Sequence, residues 1–237
     1  MEQASATWSR AGRDTVGVRL IRMAGSAVLV LFVAFQFVNP RHPVRANTPG
    51  FGDPVAGFEL ASRPEHVLGI LGGPGDPGRP GAVRGMQRGL YLDYGFLLAY
   101  PSFYVGIALA LTARGALGRG LAAAVLGLAV VMAAGDALEN WQLLRLTESV
   151  DPGAMAAPLA RLRVFTLAKW YALFAASAVL VPALWRQAGG WRWSAPLFAL
   201  AAALGFASVV HLPAIEWAVG PLGVGWTIVW ITALRAA

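Results

Sequence analysis

Six apolar runs, each close to the length a helix needs to cross a hydrocarbon layer, constrain this 237-residue chain more than any other feature. They cover about Leu20–Val38, Tyr91–Leu111, Leu121–Leu138, Val164–Leu184, Ala195–Leu212 and Trp217–Leu234. Crossing the bilayer core takes about 20 apolar residues as helix. Helix also bonds its own backbone groups where no water can reach them. The expected fold is therefore all-α, a polytopic transmembrane helix bundle of about six spans. Composition agrees: 57% of residues are hydrophobic and 13% charged. A soluble domain carries about a quarter charged residues.

A polar tail, residues 1–19, precedes the first run, and residues 20–237 read as a single transmembrane domain. No small-residue cleavage site follows VAFQFVNP, so the first run is expected to stay as an anchor. Residues 39–89 read as an extracytoplasmic loop, with at most a short helix about Pro64–Leu71. Their stretch LGGPGDPGRPGAVRG is too rich in proline and glycine for a span. One set of ends and short connectors holds Arg10 to Arg22, Arg114 with Arg119, Arg186 with Arg192, and Arg235. The positive-inside rule places that set, and both termini, in the cytoplasm, with the chain expected in a cytoplasmic (inner) membrane. Trp141, Trp185, Trp191, Trp193 and Trp217 fall at expected span ends, where an amphipathic ring is favoured. Small residues in GLAAAVLGLAVVMAAG and LAAALGFAS invite close backbone approach, and GPLGVG is expected to bend or open the last span.

The absence of cysteine excludes disulfides, thiolate metal sites and thiol catalysis. Net charge is +7, with Lys169 as the only lysine. The arginines sit scattered at the ends of apolar runs, which fits topology control and lipid head groups rather than nucleic acid. No close-spaced His/Asp/Glu motif and no phosphate loop or nucleophile elbow occurs, so neither metal nor cofactor is expected.

The ionisable residues inside the runs form a pattern. Asp93 lies just inside the second run, Asp136 near the far end of the third, and Lys169 about two turns into the fourth. His211 closes the fifth and Glu216 opens the sixth. At a rise of about 1.5 Å per residue, all fall in one slab toward the extracytoplasmic side. Asp136, Glu139 and Asn140 are spaced i, i+3, i+4 and share a face, while Asp93 shares a stripe with Tyr100 and Tyr104. A lysine at membrane depth needs a partner, so Lys169 is expected to pair with Asp93, Asp136 or both. The competing reading has Asp93 begin a helix and Asp136 to Asn140 end one in water. His211 with Glu216 reads as an interfacial pair.

Four short motifs accompany these residues: Phe58-Glu59-Leu60-Ala61, Leu92-Asp93 with Phe96 and Tyr100, Asp136 with Glu139-Asn140, and Lys169-Trp170. Over residues 58–171 the chain thereby resembles a group of uncharacterised bacterial multipass membrane proteins. The resemblance implies a common site that includes Glu59, and it carries no reaction with it. The last two spans and the lengthened loop depart from the pattern.

Three functions are compatible with this pattern. The first is an outward-facing polar pocket that binds a small molecule, a lipid or a proton. The second is an enzyme acting on a lipid-linked substrate at the outer leaflet, with a buried carboxylate as base and Lys169 stabilising negative charge. The third is an accessory subunit whose loop docks a membrane partner protein.

Overall fold

The computed structural model describes residues 16–235, so most of the expected cytoplasmic tail, with Arg10 and Arg13, lies outside the described residues. These are helical with no strand, in eight helices. In chain order they are α1 Val16–Val38, α2 Pro54–Glu59, α3 Pro64–Leu71, α4 Arg79–Ala113, α5 Arg119–Glu148, α6 Pro152–Trp185, α7 Gly190–Ala207 and α8 Ala214–Arg235. Five of them (α1, α4, α5, α6 and α8) are long and apolar enough to cross a membrane. The protein is a multi-pass integral membrane protein, and its fold class is the one expected.

The count differs at one place. The expected fifth span, Ala195–Leu212, forms α7, which has 18 residues and ends at Ala207. Its first turns carry Arg192 and Pro196, so the apolar part is too short to stand with the other five. The segment 39–89 is also more ordered than a loop. It holds α3 where the short helix was expected, a further helix α2, and the first eleven residues of α4. The last span is not opened by GPLGVG: α8 runs unbroken across Pro221.

The chain groups into two compact units. Among the described residues, one comprises residues 16–29, 98–131 and 171–235 and the other residues 30–97 and 132–170. In the first, α1 and α4 meet backbone to backbone. A Cβ on Gly106 would lie 2.9 Å from Ile21 Cγ1, 3.0 Å from Ile21 N and 3.1 Å from Gly17 O. Arg22 Nε donates to Ala233 O at 2.9 Å, answering a carbonyl that the end of α8 leaves without a helical partner. Tyr104 OH shares a 2.6 Å hydrogen bond with Ser177 Oγ and accepts from Trp226 Nε1 at 3.2 Å. Arg114 stacks 4.5 Å from the Trp191 ring and Arg192 5.0 Å from the Trp185 ring, a pairing suited to a head-group boundary.

The second unit is built on an apolar cluster that joins Phe58 of α2, Val67 and Ile70 of α3, Met86 of α4, Leu143 of α5 and Met155 and Leu162 of α6. Pro54 starts α2, and Asp53 caps it by accepting from Val55 N at 2.7 Å and Ala56 N at 3.1 Å. The preceding chain is tied to α3: Val44 N donates to Ile70 O and Arg45 N to Gly69 O, both at 2.9 Å. Arg45 Nε donates to Asp76 at 2.7 Å, and that bond, with one from the Gly78 N–H, holds the Asp76 carboxyl below its ordinary range. Arg79 closes the unit. Its guanidinium donates to Gly72 O at 2.6 Å, Ser149 O at 2.9 Å and Thr147 O at 3.2 Å, placing a cation at the carbonyl end of α5.

Because backbone atoms surround Gly106, the two helices must part to admit a side chain. The Gly106→Val variant is expected to lose about 1–3 kcal/mol or more of stability, the usual cost of overpacking. Gly127→Ala, whose Cβ would meet nothing within 4 Å, serves as the control. Unfolding midpoints in detergent check this, and equal midpoints for the two variants would refute the close approach.

Candidate functional site

Two local features carry the site. The first is Gly135 on α5, where a Cβ would lie 3.1 Å from Phe165 O, 3.2 Å from Lys169 N and 3.3 Å from Lys169 Cβ. With no side chain there, α5 and α6 pack closely beside Asp136 and Lys169. The second is α2, which ends at Glu59. Thr166 Oγ1 of α6 donates to Glu59 O at 3.2 Å and pins that end against α6.

Lys169 is the centre. Its ammonium lies 3.2 Å from Asp136 Oδ1, 3.3 Å from Glu59 Oε2, and 3.0 and 2.9 Å from the two oxygens of Glu139. The Lys169 side chain is 8% exposed and Glu139 is fully buried, whereas Glu59 is 17% exposed. Trp170 Nε1 also donates to Glu59 Oε2, at 3.3 Å. Asp93 of α4 joins indirectly, accepting from Asn140 Nδ2 at 2.7 Å.

Of the two acids expected to meet Lys169, singly or together, one does. Asp136 is a direct partner, but Asp93 is not within ion-pair distance and is held by Asn140 instead. Glu139 and Glu59 supply the other two contacts. Neither Asp93 nor the Asp136 to Asn140 turn marks a helix end. Helix α4 starts at Arg79 and α5 continues to Glu148, so these polar groups sit mid-helix, where end-capping cannot explain them. Tyr100, His211 and Glu216 belong to the first unit. There Tyr100 is buried and stacks on Trp226, with ring centres 6.2 Å apart, and His211 packs on Trp217 at 5.1 Å.

Two residues stand out beyond the expected set. Trp170 belongs to the Lys169-Trp170 motif, and its indole N–H shares Glu59. Gln142 follows the third apolar run. It is fully buried, and both polar atoms of its amide lack a protein partner. Its spacing from Glu139, i to i+3 on α5, was the available signal.

Counted at full ionisation, one ammonium against three contacting carboxylates leaves a formal charge of −2. Such a cluster can bind a cation, exchange protons among its oxygens, or fasten α2, α5 and α6 together. No protein-family model, curated protein or solved structure matches this chain. The class that fold and site define is a multi-pass membrane protein with one buried ammonium–carboxylate centre.

Removing one member of a buried ion pair costs about 3–5 kcal/mol, because the partner's charge stays behind. Lys169→Met is expected to lose at least that much, and Lys169→Met combined with Asp136→Asn and Glu139→Gln to regain part of it. Chemical unfolding in micelles measures both. A single variant as stable as the parent would mean that the ammonium is not integral to the fold.

Proposed function

We propose that this protein resides in a bacterial cytoplasmic membrane, with both termini in the cytoplasm. Its Lys169 cluster is a proton-binding centre toward the extracytoplasmic side. One observation carries the reading: three carboxylates crowd a single buried ammonium, and a fourth acid, Asp93, is bonded to Asn140, the residue after Glu139. Unbalanced charge in a low-dielectric interior is costly, and a proton is the smallest counter-charge that removes it. Glu59 is partly exposed, which gives that proton a way in.

An ammonium has three donors, and Lys169 directs them at three carboxylates. It has none left for a lipid head group or for a developing oxyanion. That argues against the lipid-binding and enzymatic alternatives. The same saturation favours a second reading, in which the cluster is only a lock between helices. Of the residues that carry the resemblance to other bacterial membrane proteins, Glu59, Asp93, Asp136, Glu139, Asn140, Lys169 and Trp170 belong to one unit and Tyr100 to the other. This supports treating that shared pattern as one centre.

Infrared difference spectra taken across pH separate the two readings. A proton-binding centre gives a carboxylic-acid C=O band that fades as pH rises and is lost in Asp136→Asn/Glu139→Gln. Full ionisation wherever the protein is folded would leave the lock. Orientation is tested by labelling, since the chain has no cysteine of its own. Ser62→Cys is expected to react with an impermeant maleimide added outside cells, and Gly118→Cys only after the membrane is opened. The reverse pattern would invert the topology.

A further inference from the structure

Gln142 is the buried polar group that the Lys169 cluster leaves unused. Its side chain is 0% exposed, and neither Nε2 nor Oε1 has a protein partner. Leaving a buried amide unsatisfied costs free energy that a leucine of similar size would not, so the amide needs a reason to be there. Gly135, Glu139, Gln142 and Leu146 recur at i, i+4, i+7 and i+11 and form one stripe of α5. Gly135 faces the α6 backbone at Lys169, so Gln142 lies on the stripe turned toward α6, one turn beyond Glu139. Glu139 Oε2 is the other orphan here. Although 2.9 Å from the Lys169 ammonium, it makes no aligned hydrogen bond with any protein group. Two neighbouring buried groups thus each hold an atom without an aligned hydrogen bond, one offering a donor and the other an acceptor.

We infer that Gln142 and Glu139 together bind an internal water molecule. The water accepts from Gln142 Nε2 and donates to Glu139 Oε2, extending the Lys169 network one turn along α5. Buried waters characteristically join polar groups that the protein cannot join directly, making about three hydrogen bonds each. Thr166 is a third polar group nearby. It is buried, one turn before Lys169 on α6, and its hydroxyl is already committed as donor to Glu59 O, so its oxygen is available as a further acceptor. The inference deepens the proton-binding reading, since such a water would pass a proton to Glu139. The water site itself stands on the two orphaned groups.

A double-mutant cycle tests it. If water bridges the pair, Gln142→Leu deprives Glu139 of a donor. The unfolding midpoint is then expected to fall by about 2–4 °C, the shift that a loss of 1 kcal/mol produces in a chain of this size. In a Glu139→Gln background the same change is expected to have little effect. A rise in midpoint, equal in both backgrounds, would overturn the inference and make the amide a dry defect. If either variant fails to fold, the wild-type protein decides. Internal water gives an O–D stretch that moves when D₂¹⁶O is replaced by D₂¹⁸O, and no isotope-sensitive internal band would overturn the inference as well. An isotope-sensitive band without any titrating carboxylic-acid band would sink proton binding and keep the water.

Discussion

A lone ammonium held inside an apolar helix unit is the constraint around which the second unit is arranged. Desolvating a charge costs several kcal/mol even after the protein relaxes, so Lys169 can be buried only where counter-charge is fixed in place. Two separate helices supply it, α2 through Glu59 and α5 through Asp136 and Glu139, both facing Lys169 on α6. Each acid is held by something other than its charge. Glu59 is fixed by a capped short helix and by Thr166, and Asp136 and Glu139 by the close approach at Gly135. The ion cluster is thus a consequence of backbone placement, and its energy then resists any movement of that backbone.

The same logic explains why residues 39–89 are ordered despite their proline and glycine. The segment cannot span, yet it must deliver Glu59 to a fixed point, and it does so by burying Phe58, Val67, Ile70 and Met86 in the unit's apolar cluster. Asp53, Pro54, the pairing of residues 44–46 with α3 and the Arg79 bridge to the end of α5 each remove freedom from it. Glycine serves here by permitting contact. Ala46 O lies where a Cβ of Gly69 would stand, 2.7 Å away.

How far the sequence revealed this can be traced residue by residue. The long helices were legible because a bilayer sets their length, and that signal is strong in Val16–Val38 and Arg119–Glu148. Helix ends were not legible. The polar turns that extend α4 back to Arg79 and α5 on to Glu148 are helical because they pack on the apolar cluster around Phe58 and Met86, a tertiary cause that hydropathy does not see. The need of Lys169 for Asp136 followed from charge alone. Its contacts with Glu59 and Glu139 did not, since they depend on where α2 docks and on the rotation of α5. Tyr100 shows the same dependence on tertiary packing. It does follow Asp93 at helical spacing, but α4 is long enough to serve both units, and Tyr100 lies in the part that packs on Trp226.

The choice of lysine over arginine at position 169 fits this geometry. Of 19 basic residues Lys169 alone is lysine, so the chain departs from its habit at this one point. Elsewhere the guanidinium fork is put to use. Arg79 spreads its nitrogens over three carbonyls, and Arg114 and Arg192 lay flat charge on indole rings. At the cluster three acids from two helices converge on one point, which suits a compact ammonium with three rotatable donors better than a rigid plane. A guanidinium would also place its charge further along and bring two donors to the edge of one carboxylate, leaving the others short. Convergent acids thus select lysine, and lysine's small head lets α5 and α6 stay as close as Gly135 allows.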